Sequence, residues 1–116
     1  MNTVANELAS LNCKACEGST SRLAKQEIER LLNNLDGWTK LDNELVKTYH
    51  FKNYFETMAF VNATALVSHQ ENHHPDLEVS YQQCRVRYST HAIGGLSDND
   101  FICAAKIDCL QVRQST

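Results

Sequence analysis

From Ser21 onward, apolar residues recur at steps of three and four. Ala24, Ile28, Leu31, Leu32 and Leu35 line one side, and Lys25, Glu29 and Arg30 the other. That period predicts an amphipathic helix, which Asp36-Gly37 ends. The pattern then changes. Trp38 to Leu41 and Glu44 to Phe51 are rich in β-branched and aromatic residues around an Asp42-Asn43 turn, which predicts a hairpin. Asn53 followed by Glu56 resembles a capping box. Phe55, Met58, Ala59, Ala65 and Leu66, interrupted by Asn62, predict the apolar stripe of a second helix. This helix is expected to run through His69 to Pro75, whose ring disfavours helical dihedrals at His74.

Alternation with a period of two returns at Asp76 to Tyr81. After a Gln82-Gln83 turn it resumes at Cys84 to His91, with Cys84, Val86, Tyr88 and Thr90 on one face and Arg85, Arg87, Ser89 and His91 on the other. Gly94-Gly95 breaks the strand. Ser97 with Asp100 is another capping signature, and Phe101, Ile102, Ala105, Cys109 and Val112 form the stripe of a last helix. The order α-β-β-α-β-β-α predicts an α+β domain, a four-stranded antiparallel sheet with three helices packed on one face. Residues 1–20 carry no sustained periodicity and close on Glu17-Gly18-Ser19-Thr20. They are expected to be a flexible lead-in to a single domain at 21–116.

Composition narrows the classes. The 116 residues, 42% apolar and 22% charged, suit one soluble globular domain with a core of its own. A net charge of −3, with only Arg85 and Arg87 as a basic pair, argues against a nucleic-acid partner. No basic and apolar leader and no run of ~20 apolar residues is present, so neither secretion nor membrane insertion is expected, and a cytoplasmic location is. Five cysteines without a leader predict reduced thiols. Cys13-Lys-Ala-Cys16 has the spacing of a zinc knuckle or redox pair, but no second such motif completes a four-ligand site, so two free thiols are expected. Cys84, Cys103 and Cys109 fall on apolar stripes and are expected to be small core residues.

The candidate chemistry lies in His69-Gln70-Glu71-Asn72-His73-His74-Pro75-Asp76, answered by Ser89-Thr90-His91. Four of the five histidines fall within these 23 residues. Imidazole, with an ordinary pKa of about 6.5, can both give and take a proton near neutrality. His69 and His73, four apart on a helix, could supply two metal ligands, but a third would have to come from His91, Glu71 or Asp76, and no HExxH is present. The plainer alternative is a set of polar residues near the negative end of a helix dipole. With no Ser or Cys nucleophile signature and no Gly-rich phosphate loop, converging imidazoles suit the addition or elimination of water. His50 is expected to be a half-exposed strand residue.

One spaced pattern is more specific. His69, three residues, His73-His74-Pro75, five residues, Tyr81, nine residues, His91, eight residues and Asp100 make seven positions across 32 residues. This run resembles the signature of the pterin-4a-carbinolamine dehydratases. The looser likeness covers Leu32 to Leu110, including Gly37-Trp38, Phe51-Lys52 and Gly95-Leu96-Ser97, and does not reach Cys13 or Cys16. The resemblance implies a four-stranded antiparallel sheet with three helices, assembled as a homodimer or homotetramer. It implies a reaction in which 4a-hydroxytetrahydropterin, left by an aromatic amino acid hydroxylase, loses water to give quinonoid dihydropterin, with no metal or organic cofactor. His73 and His74 would do the acid and base work, and His91 would bind the pterin and tune the transfer. Asn72, Ser89 and Thr90 would help hold the pterin ring. His69 stands where many members carry Glu. Some members also act as dimerisation cofactors of a homeodomain transcription factor through a helix surface, so a protein-binding module is the alternative. A metal-dependent hydrolase built on His69, His73 and His91 is a third reading.

Overall fold

The computed structural model describes residues 3–14 and 22–110. Cys16, the loop composition at 17–20 and Val112 lie outside them. In chain order the elements are α1 (Thr3–Ser10), α2 (Lys25–Leu32), β1 (Thr39–Leu41), β2 (Glu44–His50), α3 (Tyr54–Glu71), β3 (Asp76–Val79), β4 (Gln83–Tyr88) and α4 (Asp98–Asp108), with a 3-10 turn at His91–Ile93. Two hairpins build one sheet in the order β1-β2-β4-β3, every neighbouring pair antiparallel. The first turns at Asp42, whose φ of 54° lies in the left-handed region that Asp tolerates better than most residues.

Register divides the sheet into two faces. Leu45 opposite Tyr88, Tyr49 opposite Cys84 and Leu77 opposite Val86 share the face that meets the helices. Thr48 opposite Arg85 and Val46 opposite Arg87 share the other, where Arg87 also pairs with Glu78 at 2.8 Å. Such alternation is what a sheet covered on one side requires. Over the covered face, α4 is buried nearly all round, with Phe101, Ile102, Cys103, Ala104, Ala105 and Ile107 all in the core. At its far end the Asp108 carboxylate accepts hydrogen bonds from Trp38 Nε1 (3.0 Å), Lys47 Nζ (2.9 Å) and the Tyr49 hydroxyl. Burial, followed by the Asp108 charge, pushes the Tyr49 phenol well above its usual range.

Three expectations change. The described helices number four rather than three, because α1 forms within the stretch expected to be a flexible lead-in. Leu8 is buried, Val4, Ala5 and Ala9 pack against the core, and Lys106 Nζ on α4 donates to Ala9 O at 2.8 Å. With one large apolar residue among small ones, α1 carries too little pattern to be read, and its neighbours hold it in place. The second change concerns α3. Its buried face is Thr57, Phe60, Thr64 and Ser68, whereas much of the predicted stripe points outward, with Phe55 81% and Leu66 58% exposed, Ala65 exposed, and Met58 and Ala59 half-buried. Small hydroxyl side chains can line a helix interface when a carbonyl satisfies them, as Asn53 O and Tyr81 O do for Thr57 and Thr64 O for Ser68. Cys109 is exposed just beyond α4 rather than in the core. Among the described residues, no helix is long and apolar enough to cross a membrane.

Candidate active site

The histidine run is shaped by how α3 ends. The capping residue Asn53 accepts from Glu56 N–H at 2.8 Å and starts the helix as the sequence predicts, but the helix stops at Glu71, before Pro75 can act. Asn72 takes the left-handed conformation (φ 50°, ψ 42°), its N–H bonding to His69 O and the His73 N–H to Ser68 O at 3.1 Å. This is a Schellman turn, and Asn is the usual substitute for Gly in it. His73 is therefore off the helix and does not share a face with His69, which stays on α3 and is exposed.

The turn delivers His73 into the interior, where it is 8% exposed, while His74 beside it remains exposed. The His73 ring lies parallel to the Tyr88 ring, 5° between planes and 5.8 Å between centroids. Its Nε2 is 2.7 Å from Asp100 Oδ1. Asp100, fully buried in the first turn of α4, accepts at Oδ2 from the Thr90 hydroxyl (2.7 Å) and the Ser97 N–H (3.0 Å). Since Thr90 gives its hydrogen to Asp100, the Ser97 hydroxyl is the donor in the 2.8 Å contact between the two hydroxyls. A carboxylate oxygen there is an acceptor for a hydrogen on His73 Nε2, which leaves Nδ1 as the ring nitrogen turned to other partners.

Extending the β3–β4 register beyond Asp76 and Arg87 sets His73 opposite Thr90, so a local hairpin brings both ends of the candidate site together. Thr90 N–H bonds to Gly95 O at 3.0 Å and closes a loop that carries the exposed His91 in its 3-10 turn. Gly94 sits at φ 62°, and a Cβ on Gly95 would lie 2.5 Å from Arg22 Cδ, so each glycine serves this loop differently. Ser89, Thr90 and His91 line a cavity of about 280 Å³ with the Asp42–Glu44 turn and Gly94-Gly95. Asn72 is exposed, and neither it nor His73 nor His74 is part of that lining.

The sequence shows Asp100 as a helix cap and a position of the spaced pattern, but not as the partner of His73. The two residues lie 27 apart in the chain, so no local signal marks the pairing. Among the described residues, no three His, Cys, Asp or Glu side chains are grouped to hold a metal ion, so His69, His73 and His91 do not assemble as a ligand set.

A buried carboxylate holding one imidazole, with a second imidazole next to it and a third beside a small cavity, on an α+β sheet, is an arrangement suited to acid–base chemistry. The family model described as pterin 4 alpha carbinolamine dehydratase matches residues 21–110, and the chain belongs to that family. It is 61% identical over 107 residues to a protein of Nitrosomonas eutropha, a match covering 91% of this chain and 95% of the relative. A protein of Nitrosospira multiformis is 56% identical over 110 residues, covering 95% and 97% of the two chains. Both carry the name "Putative pterin-4-alpha-carbinolamine dehydratase". A solved structure from Brucella melitensis, described as a transcriptional coactivator/pterin dehydratase, superposes with a TM-score of 0.74 at 29% identity, covering 76% of this chain and 96% of that one.

Proposed function

We propose that the protein is a hydro-lyase that removes water from 4a-hydroxytetrahydropterin to give quinonoid dihydropterin, returning the pterin of an aromatic amino acid hydroxylase to use. The observation that carries this reading is the Asp100 carboxylate, which holds His73 by Nε2 and ties it to Thr90, next to His91. Loss of the 4a hydroxyl needs a proton at that oxygen and a base for the N5 proton. His73, with Nδ1 free to accept, takes the N5 proton, and the charge it gains is balanced by Asp100. His74, exposed and adjacent, protonates the departing hydroxyl. His91 with Asn72, Ser89 and Thr90 holds the ring, whose amide-like edge matches their donors and acceptors. No metal or organic cofactor takes part, and the setting is the cytoplasm.

The homodimer or homotetramer implied by the family likeness would bury the outward stripe of α3, for which 81% exposure of Phe55 is the supporting observation. The test of the reaction is the rate at which purified protein speeds dehydration of chemically generated 4a-hydroxytetrahydropterin in a chelating buffer, beside His73→Ala. Acceleration by wild type that falls ~100-fold or more in the variant is expected. A folded wild type without acceleration overturns the proposal and leaves the protein-binding module as the reading to pursue.

A further inference from the structure

The segment after α1 is clasped from two sides. The Cys13 N–H donates to Glu71 Oε1 at 2.7 Å, and Lys14 exchanges two hydrogen bonds with the Asn99 side chain, N–H to Oδ1 at 3.0 Å and Nδ2 to the Lys14 carbonyl at 2.7 Å. Glu71 ends α3, and Asn99 lies in the first turn of α4, one residue before Asp100. These bonds set Cys13 Sγ 3.4 Å from Cys103 Sγ, inside van der Waals contact for two sulfurs. Cys103 is fully buried on α4, and Cys13 is half-buried.

We propose that Cys13 and Cys103 form a redox-active thiol pair, closing to an intramolecular disulfide on contact with hydrogen peroxide and reopening with a dithiol. Cys13, the less buried of the two, attacks as its thiolate. One peroxide oxygen bonds to sulfur to give a sulfenic acid, and the other leaves as water. Cys103 sulfur then attacks Cys13 sulfur, the S–O bond breaks, and the departing hydroxide takes the Cys103 proton. Two thiols and one peroxide thus become one disulfide and two waters. The hydrogen bond to Cys13, then burial, keeps Cys103 protonated well beyond the usual thiol range, which marks it as the resolving rather than the attacking sulfur. The sulfurs need to close by roughly 1.4 Å to reach bonding distance, a movement open to a segment joined to α3 and α4 through a few hydrogen bonds. The resulting bond staples the strap to the helix that carries Asp100.

The pair stands on its own geometry, whatever reaction the site performs. Full-length reduced protein is treated with a small molar excess of hydrogen peroxide, digested without reductant and mapped by mass spectrometry. A peptide pair joining Cys13 to Cys103, two hydrogens lighter and released by dithiothreitol, is expected in wild type and in Cys16→Ser, with Tm raised by about 10 °C. Because Cys103→Ser could fail to fold, the control is Cys13→Ser, which should give neither cross-link nor Tm change. A Cys13–Cys16 bond, an intermolecular disulfide, or over-oxidation of Cys13 with Cys103 left as a free thiol would each overturn the proposal.

Discussion

Replacing Asp100 by Asn keeps the shape of the buried side chain and changes only what it can accept. Oδ2 serves two donors, the Thr90 hydroxyl and the Ser97 N–H, so the amide oxygen must take that side. The NH₂ group then faces His73 Nε2 at the present 2.7 Å contact. Two donors cannot share a hydrogen bond, so His73 has to turn over its tautomer and place its hydrogen on Nδ1, the atom assigned to accept the substrate proton. A general base in the wrong tautomer forfeits about 10²–10⁴ in rate. Loss of charge from three buried hydrogen bonds should lower stability by about 2–4 kcal/mol, little enough to leave a folded protein. The assay is stopped-flow dehydration of 4a-hydroxytetrahydropterin, with circular dichroism melts on the same samples. A folded Asp100→Asn protein with the rate and pH profile of wild type would refute this account of His73.

The other predictions concern stability. Asp108→Ala strands the Trp38 and Tyr49 donors and the Lys47 cation together, and urea titration should show a loss of about 2–4 kcal/mol with the dehydration rate unchanged. Burial raises the Cys84 thiol from 9.0 to about 11, so the unfolded chain gives up this proton first as pH rises. Stability from this group is therefore whole below pH ~9 and lost on the order of 2–3 kcal/mol by pH ~11, a slope that Cys84→Ala should reduce in unfolding titrations. Asn72→Val, forced to φ 50°, should cost about 1–2 kcal/mol in thermal melts, and Asn72→Gly much less. Equal effects of the two would remove the left-handed turn as the reason for Asn there.

Most of the architecture was legible because its signals are local. The Asp42-Asn43 turn, the Asn53 and Ser97 caps and the two-residue alternation of β4 each depend on side chains a few residues apart. What escaped depends on distant partners or on a weak signal overshadowed by a strong one. Pro75 masked Asn72 as the end of α3, although a left-handed Asn stops a helix as well. Periodicity could not tell which face of α3 would be buried, because Thr57 and Ser68 count as polar until their carbonyl partners are known, and Thr64 is buried with them. Around α1, part of the anchoring runs through backbone groups of residues 9, 13 and 14 to α3 and α4, which no side-chain pattern reveals. At the candidate site the imidazoles stood out by type and spacing, whereas the pairing of His73 with Asp100 needed the fold.

The sheet order also sets a sequence of events in folding. Each hairpin pairs neighbours in the chain and can form on the ~1–10 μs scale, while β2 must find β4 across the whole of α3, joining Leu45 to Tyr88. His73 and Thr90 sit at the open end of the β3–β4 hairpin, and Asp100 follows closely in α4, so their junction belongs to the quickly formed C-terminal half. The Asp42–Glu44 wall of the cavity arrives only with the slower docking of the β1–β2 hairpin. In refolding, protection of the His73–Asp100 pair should precede closure of the cavity, so that the refolding chain would hold this pair before it has anywhere to hold a ligand.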